Sequence, residues 1–187
     1  MAAIEPITTA RLLLRPIRAD DGAHLLPLID NWNVAQWLTR LPWPYRMDDM
    51  VEFMEKIALP RQDGPSPIFA IILEDMPIGA IECCGHPDRA AALGDGSDLG
   101  YWLGEPYWGR GYMTEAVAAM VKRVFAAADA AMIRSGVIEG NAASLRVQTK
   151  LGFEVAGSAI VHCRPRGQEV RLICTRLTRA RYRDLKR

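Results

Sequence analysis

The sequence predicts an α/β or α+β domain built on a mixed sheet, and three features carry that expectation. Two β-like runs, Pro67 to Leu73 and Pro77 to Cys84, are separated only by Glu74-Asp75-Met76, which reads as an antiparallel hairpin. A strongly periodic helix lies directly between strand-like segments at Asp98 to Leu103 and Met132 to Ile138. Strands and helices thus alternate in the middle of the chain while hairpins flank them, so parallel and antiparallel pairings share one sheet. With 187 residues, half of them apolar, the chain supplies one substantial core and is read as a single domain over residues 1–187, with no repeat, low-complexity tract or linker.

Taken in order, Leu12 to Ile17 is a short leucine-rich run suited to a first strand, and Arg18-Ala-Asp-Asp after it offers Asp20 or Asp21 as a helix N-cap. Leu25, Leu26, Leu28, Ile29, Trp32, Val34 and Trp37 recur with mixed spacing around Pro27, which predicts a short helix and a second turn in place of one rod. Leu41 to Tyr45 is a loop. Asp48 or Asp49 caps a helix whose apolar face is Met50, Val51, Phe53, Met54, Ile57 and Ala58, ended by Pro60 and Gly64. After the hairpin comes a polar, glycine-containing loop, Gly85 to Gly96. Met113, Ala116, Val117, Met120, Val121, Val124 and Phe125 follow the i, i+3, i+4, i+7 spacing of an amphipathic helix. Ala142 to Leu151 forms another helix, stopped by Gly152, and Phe153 to Val155 with Glu169 to Leu177 completes the sheet.

Composition removes several classes of function. Lys plus Arg number 23 against 22 Asp plus Glu, a balance that gives no broad electrostatic reason to bind nucleic acid or a membrane surface. Six basic residues between Arg176 and Arg187 read as a solvated, partly frayed terminus. No run approaches the roughly 18 apolar residues of a membrane helix, and Met1 to Ala10 lacks the pattern of an export signal, so a cytoplasmic protein is expected. Cys83, Cys84, Cys163 and Cys174 show no metal-ligand spacing and read as reduced, mostly buried thiols; no metal is expected.

The chemistry concentrates between Pro106 and Thr114, Pro-Tyr-Trp-Gly-Arg-Gly-Tyr-Met-Thr, a stretch with two glycines and no carboxylate between a strand and the strongest helix. The first turn of a helix leaves backbone N–H groups unpaired and carries the positive end of its dipole, so a phosphate satisfies both where the backbone approaches closely. Gly109 and Gly111 permit that approach. The stretch has neither the Lys-Ser/Thr pair of a P-loop nor the spacing of a dinucleotide fold.

With a second segment, Asn141-Ala-Ala-Ser144-Leu-Arg146-Val-Gln-Thr-Lys150-Leu-Gly-Phe153, the chain resembles the GNAT superfamily of N-acetyltransferases, specifically the branch that acetylates the amino termini of ribosomal proteins. The resemblance runs through Thr9-Ala-Arg-Leu-Leu-Leu-Arg-Pro, Leu99-Gly-Tyr-Trp-Leu, Tyr107-Trp-Gly-Arg-Gly-Tyr-Met-Thr-Glu-Ala and the Asn141 to Phe153 segment. It implies the acyl-CoA N-acyltransferase fold: a mostly antiparallel central sheet, splayed at one point, with helices on both faces. It also implies acetyl-CoA as co-substrate and an amine acceptor, held by a monomer or homodimer. Trp108, Gly109, Arg110, Gly111, Tyr112, Met113 and Thr114 match the pyrophosphate loop, although Trp108 replaces its Gln or Arg and Met113 its small residue; Arg110 either adds positive charge there or is simply exposed. Tyr101, Trp102 and Leu103 match the strand whose free backbone groups pair with the pantetheine arm. Asn141, Ser144 and Lys150 face the same cleft, Asn141 also as a helix cap. Trp32, Trp37, Trp43 and Tyr45 correspond to the acceptor wall, or else to core.

Acetyl transfer needs a neutral amine, because an ammonium has no lone pair with which to attack a thioester. Two carboxylates suit the base: Asp98, at the start of the Gly-Tyr-Trp strand, and Glu82, inside an apolar strand where burial raises a carboxylate pKa. Either has a bland alternative, Asp98 as a loop end and Glu82 on a solvent face. The leaving thiolate needs a proton donor; Gln148 stands where many members of the superfamily carry a tyrosine, and the resemblance to this branch implies Ser144 in that role. His24, His86 and His162 are scattered and read as structural. The expected reaction is direct acetyl transfer to a primary amine, foremost the α-amine of a protein or peptide. The alternatives are a small amine or aminoglycoside as acceptor, or a coenzyme A-binding module without catalysis.

Overall fold

A computed structural model describes residues 4–58, 68–84, 97–126 and 130–186. The expected loop over Gly85 to Gly96, with His86, and the helix stop at Pro60 and Gly64 lie outside the described residues. The elements run β1 (Ile7–Thr8), β2 (Leu13–Pro16), α1 (Asp21–Ile29), α2 (Trp32–Ala35), α3 (Met47–Ala58), β3 (Phe69–Leu73), β4 (Met76–Cys84), β5 (Ser97–Leu103), a 3₁₀ turn (Glu105–Tyr107), α4 (Tyr112–Ala126), β6 (Met132–Ile138), α5 (Ala142–Lys150), β7 (Glu154–Cys163), β8 (Gln168–Thr178) and α6 (Arg179–Asp184).

The eight strands make one sheet in the order β1-β2-β3-β4-β5-β6-β8-β7, with every pairing antiparallel except β5 with β6. That parallel pairing is short. Only Ser97 with Ile133 and Asp98 with Arg134 are in register, while β5 continues to Leu103 and β6 to Ile138, so the sheet opens into a V beyond Asp98. On one face, Ala116, Val117, Met120, Val121 and Phe125 of α4 pack on Leu14, Phe69, Ile71, Ile81, Leu99 and Ile133; on the other, α1 and α3 bring Leu25, Ile29 and Met50 together with Trp102. Helices therefore cover both faces, and alternation along β5 sends Tyr101 to the α4 side and Trp102 to the α1 side.

Several boundaries differ from the sequence expectation. The β3–β4 turn is the two residues Glu74 and Asp75, at φ 49° and 67°, and Met76 already belongs to β4; positive φ at both central positions is the geometry whose twist matches a tight hairpin. Helix α1 passes through Pro27, and the break falls at Asp30 and Asn31, where the Asn31 side chain accepts from Asn33 N–H and starts α2. Strand β7 runs ten residues along the sheet's edge, and its apolar residues, among them the neighbours Val155 with Ala156 and Ala159 with Ile160 and Val161, do not alternate with polar ones, so no period of two marks it in sequence. The basic tail is not frayed: Leu177 is fully buried, α6 follows, Arg179 donates to the carbonyls of Ala130 and Phe125, and Arg181 to that of Gly152. Guanidiniums spent on backbone carbonyls explain why a run of like charge is ordered here.

At the start of α1, Asp20 occupies the N-cap position without a side-chain cap bond, and Asp21 does the work. Its carboxylate accepts two 2.7 Å bonds from Arg15 and one from Arg18 N–H, at 4 % exposure. Burial alone would raise its pKa, but the Arg15 and Arg18 bonds and charges outweigh that and hold the carboxyl below its ordinary value. A carboxyl with a depressed folded pKa contributes stability that is complete above its unfolded pKa and is lost as pH falls through the folded one. Asp21→Asn, which leaves Arg15 without its partner, is expected to cost on the order of 3 kcal/mol, a fall in Tm of roughly 10 °C, and to remove that part of the acid dependence. Thermal melts of both proteins between pH 3 and pH 7 check this; parallel acid profiles would contradict it.

Candidate functional site

The V between β5 and β6 opens into a continuous cleft of about 1860 Å³ that also reaches the start of α4, the start of α5 and the α1–α3 side of β4. The loop before α4 forms one wall. Gly109 and Gly111 stand at φ 74° and 82°, a left-handed region that most side chains avoid, and the space where a Gly109 Cβ would sit is open for 4 Å. The Trp108 indole donates to Leu103 O at 2.7 Å and pins the loop to the end of β5. The first rung of α4 is Glu115 N–H to Gly111 O, so the N–H groups ahead of Glu115 precede the helical ladder, as an anion site requires.

A brace from the N-terminal segment supports that loop. Glu115 accepts from Thr9 Oγ1 at 2.7 Å and from Arg11 N and Nε at 2.8 Å; Arg11 also donates to Arg110 O and lies over the Tyr112 ring, 4.5 Å from its centroid. Burial pushes the Glu115 carboxyl up, but the bonds from Thr9 and Arg11 prevail and leave it below its ordinary value. The one carboxylate in the helix's first turn is thereby matched by a cation. Arg11→Ala is expected to weaken coenzyme A binding about fivefold to tenfold through loss of loop order, while the fold persists because Arg11 is 45 % exposed; titration calorimetry of the variant checks it, and unchanged affinity would count against the brace.

Where β5 and β6 part, a chain of polar groups fills the wedge. Ser135 Oγ donates to Leu99 O at 2.9 Å, and Gln148 Nε2 donates to Ser135 Oγ at 2.8 Å and to the Tyr101 phenol at 3.2 Å, while Thr175 donates to Gln148 Oε1. Tyr101 Oη lies 2.9 Å from Ser144 Oγ, and Asn141 caps α5 by accepting from Ser144 N–H. Burial raises the Tyr101 phenol above its ordinary pKa, against the opposing hydrogen bonds from Ser144 and Gln148. Gln148, read from sequence only as the site of a missing tyrosine, is 1 % exposed and is the centre of this network. A buried polar residue midway along a helix is the signal that marks it.

The two carboxylates part company. Glu82, on β4 opposite Gly100, lines the cleft and pairs with Arg40 at 3.1 Å. Asp98 has no exposed surface and pairs with Arg134 Nη2 at 2.9 Å, its cross-strand neighbour at the last joined position before the V. Of the other expected site residues, Tyr101, Trp102, Leu103, Trp108, Gly109, Gly111, Tyr112, Met113, Thr114, Asn141, Ser144, Lys150, Trp37 and Tyr45 line the cleft. Asp98, Arg110, Trp32 and Trp43 do not. The Trp32 and Trp43 rings rest on each other at 5.2 Å on the outer surface, since the single turn of α2 directs Trp32 outward. Tyr45 is a wall of the α1–α3 core, its phenol pushed up to about 12 by burial and by Asp49 and Glu52. Arg40 and the exposed His162 also line the cleft, although sequence gave them no role.

Among the described residues no group of three His, Cys, Asp or Glu side chains gathers as metal ligands, and no helix is long and apolar enough to cross a membrane. A splayed sheet, a glycine loop opening a helix and a cleft joining them define an acyl-coenzyme A-dependent transferase. The model of the acetyltransferase (GNAT) domain matches residues 11–154, and the chain belongs to this family of acetyltransferases, whose acetyl donor is acetyl-CoA. A curated relative, the uncharacterized N-acetyltransferase p20 of Bacillus licheniformis, is 25 % identical over 156 residues, 82 % of this chain and 85 % of its own. RimJ of Mycobacterium smegmatis, solved with a CoA-disulfide, superposes with a TM-score of 0.76 at 22 % identity over 94 % of this chain and 87 % of its own. RimL, a ribosomal L7/L12 alpha-N-protein acetyltransferase solved with coenzyme A, does so with 0.74 at 18 % over 93 % and 98 %.

Proposed function

We propose that this acetyltransferase acts on the α-amine of a protein or peptide N-terminus by direct attack on the thioester, with Glu82 accepting the amine proton directly or through one water. The carrying observation is that Glu82 and the Tyr101–Ser144 pair approach the V from opposite faces of the sheet. Ile81 is paired with Tyr101 on the α4 face, so Glu82, one residue on, belongs to the α1–α3 face together with Trp102. An amine entering along Trp37 and Arg40 meets a carboxylate first, while the proton needed by the leaving thiolate comes from the other side. The likeness to RimJ and RimL supports a peptide acceptor.

In this reading the backbone N–H groups from Gly109 to Thr114 hold the pyrophosphate, with Trp108 anchoring the loop and Arg110 and Lys150 contributing charge at its margins. The edge of β5 at Tyr101, Trp102 and Leu103, released from β6, receives the pantetheine arm as an added strand would. Asn141 sets the start of α5 so that Ser144 meets the reacting end.

Incubation with acetyl-CoA and a panel of N-terminal peptides, polyamines and aminoglycosides, with thiol release followed and products mass-analysed, tests the proposal. Acetylation confined to peptide α-amines is expected. Turnover only on polyamines or aminoglycosides would make this a small-amine enzyme, and coenzyme binding without any thiol release would make it a binding module.

A further inference from the structure

We propose that the Tyr101 phenol, presented from strand β5, is the proton donor to the departing thiolate, with Ser144 as the relay that restores its proton and Gln148 as the group that aims it. This rests on the acetyl-transfer reading of the cleft.

The Leu99 carbonyl, which only accepts, sets the directions of the hydrogen bonds. Ser135 commits its only hydroxyl proton to Leu99 O, so toward Gln148 it can only accept, and the nitrogen end of that amide must face it. The oxygen end then receives Thr175 Oγ1, and the second amide hydrogen points to Tyr101 Oη at 3.2 Å. Gln148 is 1 % exposed, so the amide has no solvent alternative that would let it turn over. A phenol that accepts from Gln148 has its own proton free to be aimed elsewhere, and its neighbours on that side are Ser144 Oγ at 2.9 Å, Ser144 O at 3.3 Å and the cleft.

Ser144 was the donor expected from sequence, but its hydroxyl leans on a far stronger acid. The phenol's raised pKa keeps it protonated at neutral pH, as a donor must be. In the step itself the amine nitrogen bonds to the carbonyl carbon, and the carbon–sulfur bond breaks with its electron pair going to sulfur. The Tyr101 proton passes to that sulfur to give the thiol, and the phenolate recovers a proton through Ser144 from solvent. The amine's surplus proton leaves by way of Glu82.

Tyr101→Phe keeps the ring and its packing and deletes only the proton. The expected result is a fall in kcat of about 100-fold or more with coenzyme A affinity held within about threefold. Ser144→Ala should lose about tenfold or less, and the double variant should resemble Tyr101→Phe alone, since a relay without a donor carries nothing. The fall of kcat on the alkaline side of the wild-type pH profile should also vanish in Tyr101→Phe. A Tyr101→Phe enzyme with kcat within threefold of wild type would overturn the proposal, as would a Ser144→Ala loss exceeding that of Tyr101→Phe. Absence of thiol release from wild type with every amine would instead sink the transferase reading itself, and the donor with it.

Discussion

Gly109→Asp is expected to weaken coenzyme A binding by about 100-fold, whereas Gly109→Ala weakens it by less than tenfold. The two substitutions separate charge from strain. At φ 74° any side chain is strained, but aspartate tolerates this left-handed region better than alanine, so a purely conformational effect would rank alanine as the worse. Electrostatics ranks them the other way. A carboxylate about 5 Å from a diphosphate, at an effective dielectric near 20, opposes binding by roughly 3 kcal/mol per unit of facing charge before screening. Outside the adjoining residues nothing lies within 4 Å of the new Cβ, so the side chain enters open space. Gly111 is the poorer position for this experiment, because a Cβ there comes within 3.4 Å of Arg11 Nη2 and an aspartate would acquire a counter-ion. Calorimetric titration with coenzyme A measures both variants; an alanine effect equal to or larger than the aspartate effect would remove the diphosphate from this loop.

The second large effect divides the two carboxylates by what each loses. Glu82→Gln should lower kcat by a factor of about 100 to 1000 while coenzyme A affinity and Tm stay close to wild type. Its partner Arg40 has a side chain 49 % exposed, so water replaces the broken pair at little cost. Asp98→Asn should do the reverse. The Arg134 guanidinium is 3 % exposed, and neutralising the carboxylate it faces at 2.9 Å breaks a buried ion pair, a loss of about 3 kcal/mol. Turnover per folded molecule should nevertheless survive, because Asp98 does not reach the cleft. Thermal melts alongside kcat for both variants decide it. A stable Asp98→Asn protein without turnover, or an active Glu82→Gln enzyme, would transfer the role of base to Asp98 or to water alone.

Much of this was legible in residue order because it depends on local physics. The apolar spacing from Met113 to Phe125 specifies α4, and the glycine-bearing, carboxylate-free stretch before it specifies the turn that opens that helix, since orphan N–H groups and backbone freedom belong to neighbours in sequence. Asn141 was readable as a cap for the same reason, its partner Ser144 N–H being three residues away. Strand β7 and the final helix were not readable in this way: an edge strand exposed on most of its length carries no alternation, and α6 depends on arginines bonding to carbonyls more than twenty residues distant.

The sequence alone therefore determined the fold class, the glycine turn that opens α4 and the family, each of them a matter of periodicity or of a contiguous motif. Only the tertiary structure decided which carboxylate reaches the cleft, because Glu82 and Asp98 both sit in apolar strands and differ only in what the sheet places over them. It likewise decided that Thr9, Arg11 and Glu115 form one brace across more than 100 residues, and that the Tyr101 phenol of β5 meets Ser144 of α5. Contacts of that kind are set by the register of β5 against β4 and by its departure from β6 after Asp98, and no local rule encodes where two distant strands part.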